Sequence, residues 1–421
     1  MISSEIYLSY LRCPRRSFLM MKNPIKRENN ELLEAIYSLS NYKPMVFTKD
    51  DLTAKADLYI DGYCYLVKMS VKMSKSFKDE LDFLSYVSDK PVRIVLINKK
   101  YCLNGKLDLK NLLYYLDYEP KDNKFISDKL VLIRKLETEP GLFMNCHNPN
   151  ECYFLEHCYK EEKENSLLYL HSFPKKYQYY NNGYKTIDDL YHSEFFNSLP
   201  LIVKKQIDYV VNNRPIFIDK EKISLFLSKI KEPIYFLDFE CISDAIPSFK
   251  GVKPFEKVPF LYSLHILKNS ELTHSGYIMK PGCDERLEMA QSLFNRIKEI
   301  GTIIAYNSSV EREMISDLSK YEPQLKKVLG WFCDLEIPFR NNYLYDKDFK
   351  GSNSIKTIYD VLIKDEYNYH NLECNNGRIA MELYRNIDSF DSKGINDLVE
   401  YCSLDTYACY RIYMYLKNIV K

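Results

Sequence analysis

The stretch that decides the fold is EPIYFLDFECI, residues 232–242. Ile234, Tyr235, Phe236 and Leu237 form an apolar run of strand-favouring residues. The run ends in Asp238 and Glu240, two carboxylates with one residue between them. Side chains two apart on a strand face the same side. Like charges held side by side at the end of a buried strand repel each other and resist desolvation. A divalent cation would make the arrangement tolerable.

Outward from that strand, FLYSLHIL and LTHSGYIMK read as the next two strands. ERLEMAQSLFNRIKEI reads as a helix and TIIAYN as a further strand. IIAYNSSVEREMI then runs from that strand into a helix and offers Asn307 and Glu311. Near the C-terminus EYCSLDTYACYRI offers Tyr401 and Asp405, four apart and so on one face of a helix. These carboxylates come from one strand and two helices. Drawn to one point, they would need metal. Two Mg²⁺ or Mn²⁺ ions about 3.5–4 Å apart stabilise the entering and leaving oxygens of a phosphodiester. Hard cations of this kind prefer carboxylate oxygen.

At these residues the chain resembles the DnaQ-like, or DEDD, 3′–5′ exonucleases of the ribonuclease-H-like fold. Their pattern is D-x-E on the first strand, Asn followed by an acid at a helix start, and Y-x-x-x-D on the last helix. Asp238, Glu240, Glu311, Tyr401 and Asp405 fill those places, and the tyrosine spacing implies the DEDDy subtype. The resemblance implies that Asp238 bridges the ions, that Glu240 and Asp405 complete one site, and that Glu311 serves the other. Tyr401 would orient the attacking water. Glu311 is a departure, being one methylene longer than the usual aspartate. Asp334 and Ser354-Ile-Lys356 fill the places of a further strand end and helix start, with Lys356 and Arg340 as expected phosphate contacts. The resemblance extends over most of 233–421 to a family of uncharacterised bacterial proteins. Its marks are DFE, P-x-F-x-x-x-P-F, YN-x-x-x-E, G-S-x-S-I-K and YC-x-x-D-T.

The N-terminal zone, 1–160, alternates helix and strand: ADLYI, YCYLVKMSV and VRIVLIN are expected strands, with KSFKDELDFLSYV a helix among them. It closes on CHNPNECYFLEHC, which spaces Cys146, Cys152 and Cys158 as C-x5-C-x5-C. Cys13 is a fourth thiolate available from the first helical segment. Four thiolates suit a [4Fe–4S] cluster or Zn²⁺, with His147 and His157 as substitutes in a zinc site. The other eight cysteines are expected to be buried small hydrophobes. This half resembles the iron–sulfur branch of the PD-(D/E)XK nucleases, including RecB-like and AddB-type enzymes. That resemblance implies Cys13, Cys146, Cys152 and Cys158 as cluster ligands. It also implies a degenerate nuclease site: Asp57 fits the first acid, but the E-x-K place reads Ser70-x-Lys72, and the place of a helical Gln reads Tyr86. Serine does not replace a carboxylate on a metal, so this half is expected to be silent and retained for nucleic-acid binding or structure. A slipped alignment would substitute Asp61 or Glu80.

Between the halves, 161–232 is polar, tyrosine-rich and helical in pattern, and is expected to be a connector. The expected architecture is α/β throughout: a PD-(D/E)XK-like domain with a cysteine-bound cluster, a helical connector and a ribonuclease-H-like mixed-sheet domain. Composition fits a globular chain: 421 residues, 46% hydrophobic, 28% charged and a net charge of +1. That balance excludes a chain that is basic throughout. No run reaches the length of a membrane span, and the first residues carry no signal-peptide pattern, so a cytoplasmic protein with no membrane partner is expected. The expected function is metal-dependent 3′–5′ hydrolysis of DNA or RNA; the 37 tyrosines favour single strands as partner. The alternative is a binding protein built from two decayed nuclease halves.

Overall fold

The computed structural model describes residues 1–25, 31–39, 42–143, 146, 151–160, 162–171, 173–387 and 391–421. The chain is mixed α/β and divides into two compact units. The first comprises Met1–Leu168, Phe173–Ser193 and Asp244–Glu256; the second comprises Tyr169–Ser172, Glu194–Ser243 and Lys257–Lys421. The stretch 161–232, expected as a helical connector, is divided between the units. Leu167, Leu168, Tyr177 and Leu190 are buried in the first, and Val203, Ile207 and Ile223 are buried in the second. Periodic apolar residues of this kind need a core to enter, which is why the stretch does not stand apart.

In the first unit a four-stranded sheet runs in the order Leu58–Ile60, Tyr63–Val67, Val92–Ile97, Leu113–Tyr118. The two middle strands are parallel and joined through the helix Lys75–Ser88. Ser74 starts that helix by accepting the Phe77 N–H at 3.2 Å. A smaller sheet places Leu52–Ala56 between Ile2–Ser3 and Met45–Lys49. Helices Ser4–Arg12 and Pro14–Lys22 break at Cys13, whose backbone is extended. Pro14 forces the break, because the residue before a proline avoids the helical region. Tyr7 stacks on Phe83 at 4.7 Å inside the core that these helices cover. The segment Asp244–Glu256 also belongs here: Ala245, Ile246 and Phe255 pack against Leu32, Val67 and Ile97. Leu103 and Gly251 tie it in through backbone hydrogen bonds of 3.1 Å, to the Val252 carbonyl, and 2.8 Å, from the Gly251 N–H.

In the second unit a five-stranded sheet runs in the order Glu271–Ile278, Val258–Lys268, Ile234–Ile242, Thr302–Ala305, Phe332–Asp334. The first three strands form an antiparallel meander, and the last two run parallel to Ile234–Ile242. Thr302–Ala305 enters beside the start of the first strand, where its Thr302 N–H donates to the Pro233 carbonyl at 3.1 Å. Gly301 permits that approach, since a Cβ there would run into the Pro233 carbonyl. The 29-residue helix Ser392–Val420 lies across the sheet. Fully buried Phe236 meets Tyr410 and Tyr413 on it at 5.8 and 5.9 Å. Burial of a ring of this size contributes roughly 2–3 kcal/mol. Because Phe236, Asp238 and Glu240 share one strand face, the contact that buries Phe236 also brings the two acids beneath the helix.

Candidate metal centres

In the second unit, single oxygens of Asp238, Glu240 and Asp405 all lie within 4.8 Å of one another. Strand alternation supplies the first two, and the helix Ser392–Val420 supplies the third. Burial raises all three carboxyls, and each also feels its acidic neighbours or partners. Asp238 stands well above the usual carboxylate range through burial and then through Asp405 and Glu240. Glu240 is pushed up to about 8 by burial and then Asp405. Asp405 rises to about 6 through burial, held back by Tyr369, Lys356 and Tyr401.

Glu311 comes from the first turn of the helix Ser309–Leu318 and is buried. Among the described residues its Oε2 is buried without a hydrogen-bond partner. Burial, then Asp334 and Asp405, raise it to about 7. A buried carboxylate oxygen with nothing to accept is costly. The donor set is all hard oxygen, and an acid left unsatisfied beside three more fits divalent cations of the Mg²⁺ or Mn²⁺ type.

Tyr401 sits one helical turn before Asp405, is 5% exposed and is raised by burial and then by Asp405 and Glu240. Lys356 follows the helix start at Ser354, whose side chain accepts the Thr357 N–H. Its ammonium lies 5.1 Å from the Tyr369 ring and 5.2 Å from the Tyr401 ring, and it donates to the Asn375 carbonyl. Its charge lowers both Glu240 and Asp405, so it belongs to the centre.

Asn307 and Asp334, both candidates for substrate binding, are hydrogen-bonded to each other. Asn307 adopts φ of +56°, a left-handed turn that asparagine tolerates. Its N–H donates to Asp334 Oδ1 at 2.9 Å, and the Glu336 N–H donates to the same oxygen at 3.0 Å. Asp334 therefore holds the bend that delivers Glu311. Arg340 is turned to Glu336 one turn back, at 2.8 Å, and is 48% exposed.

Tyr369 lies outside every quoted motif, and Cys402 and Thr406 lie within YC-x-x-D-T without their contacts being legible from it. The Tyr369 hydroxyl donates to Asp405 Oδ1 at 2.5 Å. The fully buried Cys402 thiol donates to Asp238 Oδ2 at 3.3 Å. Thr406, next to Asp405, meets Ser263 Oγ and His265 Nδ1 at 2.8 Å each, and Ser263 stands opposite Asp238 in the sheet register. The pairing of a buried hydroxyl with a strand residue 143 positions away leaves no local trace in a sequence.

In the first unit, Cys13, Cys146, Cys152 and Cys158 line one small enclosed cavity with Arg12, Arg15 and Arg16. Burial raises the Cys13 and Cys146 thiols and pushes Cys158 up to about 11. Among the described residues the Nε atoms of Arg15 and Arg16 are buried without hydrogen-bond partners, while Arg15 Nη2 pairs with Glu139 at 2.5 Å. Buried guanidinium donors beside four thiols fit an anionic thiolate-held group. Thiolates on one Zn²⁺ at about 2.3 Å would stand roughly 4 Å apart. His147 lies outside the described residues, and His157 turns to Glu139 at 3.2 Å. Of the eight cysteines expected to be buried hydrophobes, Cys102 and Cys283 are exposed. Both lie in polar segments outside the strands and helices.

Asp57 is buried and its Oδ2 accepts the Val67 N–H at 2.8 Å. The strand expected to carry Ser70 and Lys72 ends at Val67. Both residues lie past it in a turn, where Ser70 Oγ accepts the Lys72 N–H at 3.2 Å. The strand ends there because Met69 and Lys72 are exposed and leave no alternation to bury. Instead, Lys68 meets buried Glu80 on the following helix at 2.7 Å. Asp61 sits in the turn between Leu58–Ile60 and Tyr63–Val67, with φ of +49°.

Residues 235–354 match a domain of unknown function, DUF2779. The chain is 23% identical over 222 residues to the uncharacterised protein MG366 of Mycoplasma genitalium, covering 46% of this chain and 33% of that protein. It is likewise 23% identical over 220 residues to the MG366 homologue of Mycoplasma pneumoniae, with the same coverage of 46% and 33%. The match thus spans about a third of the length of these curated relatives. No solved structure matches. Among the described residues no helix is long and apolar enough to cross a membrane.

Proposed function

We propose that this chain is a metal-dependent 3′–5′ exonuclease that hydrolyses phosphodiester bonds in DNA or RNA, and that its second unit is ribonuclease-H-like. The observation that carries the reading is the meeting of Asp238, Glu240 and Asp405 oxygens within 4.8 Å, with Glu311 close enough to raise Asp238 and with its Oε2 unpartnered among the described residues. Two Mg²⁺ or Mn²⁺ ions would supply charge neutralisation at the phosphate and an activated water. Asp238, Glu240, Asp405 and Glu311 are the residues that would hold them. Tyr401 places a hydroxyl beside Asp405 to orient the nucleophile, and Lys356 offers the cation that faces a phosphate. Cys402 and Tyr369 each hold one carboxylate oxygen of Asp238 and Asp405, which leaves the remaining oxygens for the ions.

In the first unit the four cysteines and the surrounding arginines support a [4Fe–4S] cluster that ties Cys13 near the start of the unit to Cys146, Cys152 and Cys158. Ser70 and Lys72 lie in a turn, which supports a nuclease-like domain without activity of its own. The test is release of nucleotides from a 5′-labelled single strand with Mn²⁺. The wild-type chain should yield a ladder shortened from the 3′ end, and Asp238→Asn should yield none. Equal degradation by both proteins would remove the assignment.

A further inference from the structure

The first unit holds an open cleft of about 1300 Å³ that no part of the carboxylate reading uses. This is larger than the roughly 300–1000 Å³ of a small-molecule pocket. Its cations are Arg12, Arg16, Lys75, Lys121 and Lys129, against the acids Glu5 and Asp79. Asp79 and Lys121 pair at 3.7 Å, and Lys121 stands equally close to Asp82, so this acid and this cation both drop out of the balance. In a chain whose net charge is only +1, this is a local concentration of positive charge. The positive end of the 14-residue helix Lys75–Ser88 also opens on the cleft through Ser74, Lys75 and Ser76.

The cleft is lined as well by aromatic rings that the core does not claim. Phe125, Phe143 and Tyr153 are 46%, 42% and 65% exposed. The rings are interleaved with the cations: Lys129 Nζ lies 5.4 Å from the Phe125 ring, and the Arg16 guanidinium lies 5.8 Å from the Tyr153 ring. Two of the rings are held by the cysteine cavity. Tyr153 follows Cys152 directly, and the Phe143 carbonyl accepts the Cys146 thiol at 3.2 Å.

We propose that this cleft binds single-stranded nucleic acid, with the cations tracking phosphates and Phe125, Phe143 and Tyr153 stacking on unpaired bases. Alternating cations and exposed rings match a strand whose charges and flat apolar faces alternate in the same way. An acidic peptide would use the cations but leave the rings without partners. A duplex keeps its bases stacked on one another and has none free for the rings. The inference does not depend on the carboxylate centre.

The test is fluorescence anisotropy of the full chain with labelled dT20 and U20 in EDTA, so that metal-dependent cleavage is absent and failure here leaves the exonuclease reading standing. Lys75→Ala with Lys129→Ala should weaken binding and flatten its dependence on salt, by a slope of about 1.4 for two phosphate contacts. Phe125→Ala and Tyr153→Ala should each weaken it by about tenfold with little change in that slope. All four side chains lie at the surface of the cleft, and circular dichroism checks that each variant is folded. A 5-iodouracil oligonucleotide should crosslink to peptides carrying Phe125 or Tyr153. Variants that bind as the wild type does would overturn the proposal. So would a poly-glutamate peptide that competes as well as dT20, or a duplex that binds as tightly as the single strand.

Discussion

The hydroxyl of Tyr369 stands 2.5 Å from Oδ1 of Asp405 and donates to it, across 36 residues of chain. The bond favours the ionised carboxylate and counters the burial that raises it. Lys356 lies over the Tyr369 ring and over Tyr401, so one cation and two phenols grip a single acid. Tyr369→Phe should leave the fold intact and raise Asp405 above its value of about 6. The acid limb of the pH–rate profile should move to higher pH, and half-saturation by Mn²⁺ should rise by about tenfold. An unchanged profile and Mn²⁺ dependence would remove Tyr369 from the centre.

The raised carboxyls make stability depend on pH in a defined direction. Glu240 and Glu311 are raised from 4.5 to about 8 and about 7. The folded chain therefore holds protons that the unfolded chain has released, and stability falls as pH rises from about 4.5 through about 8. Divalent cations should offset the loss at the alkaline end. Melting temperatures taken from pH 5 to 8.5 should show stabilisation by Mn²⁺ growing with pH. Stabilisation that is equal at both ends would argue against ion binding by these acids.

Glu311→Gln removes a charge without changing shape. Free of ions at pH 8, the variant should be more stable by on the order of 2 kcal/mol, or roughly 5 °C in melting temperature for a unit of this size. Stabilisation by Mn²⁺ should fall, and nucleotide release should drop by about a hundredfold or more. A variant less stable than the wild type without metal would mean that Glu311 has a structural partner.

The cysteine cavity predicts a spectroscopic result. Protein purified without oxygen should absorb near 400 nm, in the range of thiolate-bound iron–sulfur clusters. Cys152→Ser should bleach that band and lower the melting temperature of the first unit. A colourless wild-type protein that contains zinc by elemental analysis would assign the site to zinc instead.

Lys68 and Glu80 form a buried pair at 2.7 Å with side-chain exposures of 15% and 6%. Lys68→Met alone should cost roughly 3–5 kcal/mol, because it removes the cation that balances the buried carboxylate of Glu80. Lys68→Met with Glu80→Leu should recover much of that loss. Urea denaturation of the three proteins gives the coupling energy; additive losses would mean that the two groups act apart.

Two periods carried the sequence reading of the carboxylate centre. A period of two puts Asp238 and Glu240 on one strand face, and a period of 3.6 puts Tyr401 and Asp405 on one helix face. The same periods marked the meander of the second unit and the helices that follow it. Both are local properties of the backbone and are therefore written in neighbouring residues. The cysteine spacing is local too, and it singled out Cys146, Cys152 and Cys158 before any fold was known.

Tertiary structure decided what those periods do not reach. The strand before Ser70 ends at Val67, since strand length depends on what the partner strands and the helix above can bury. Asp244–Glu256 leaves one unit's sheet to pack in the other unit's core, a choice made by Leu32, Val67 and Ile97 rather than by the segment itself. Tyr369 reaches Asp405, and Thr406 joins Ser263 to His265, through contacts between elements distant in the chain. The cations and rings of the cleft come from five separate stretches between Arg12 and Tyr153. Backbone periodicity determined which residue types face together along each element. Packing of one element on another determined which of those faces meet, because burial is summed over the whole fold and carries no record of order along the chain.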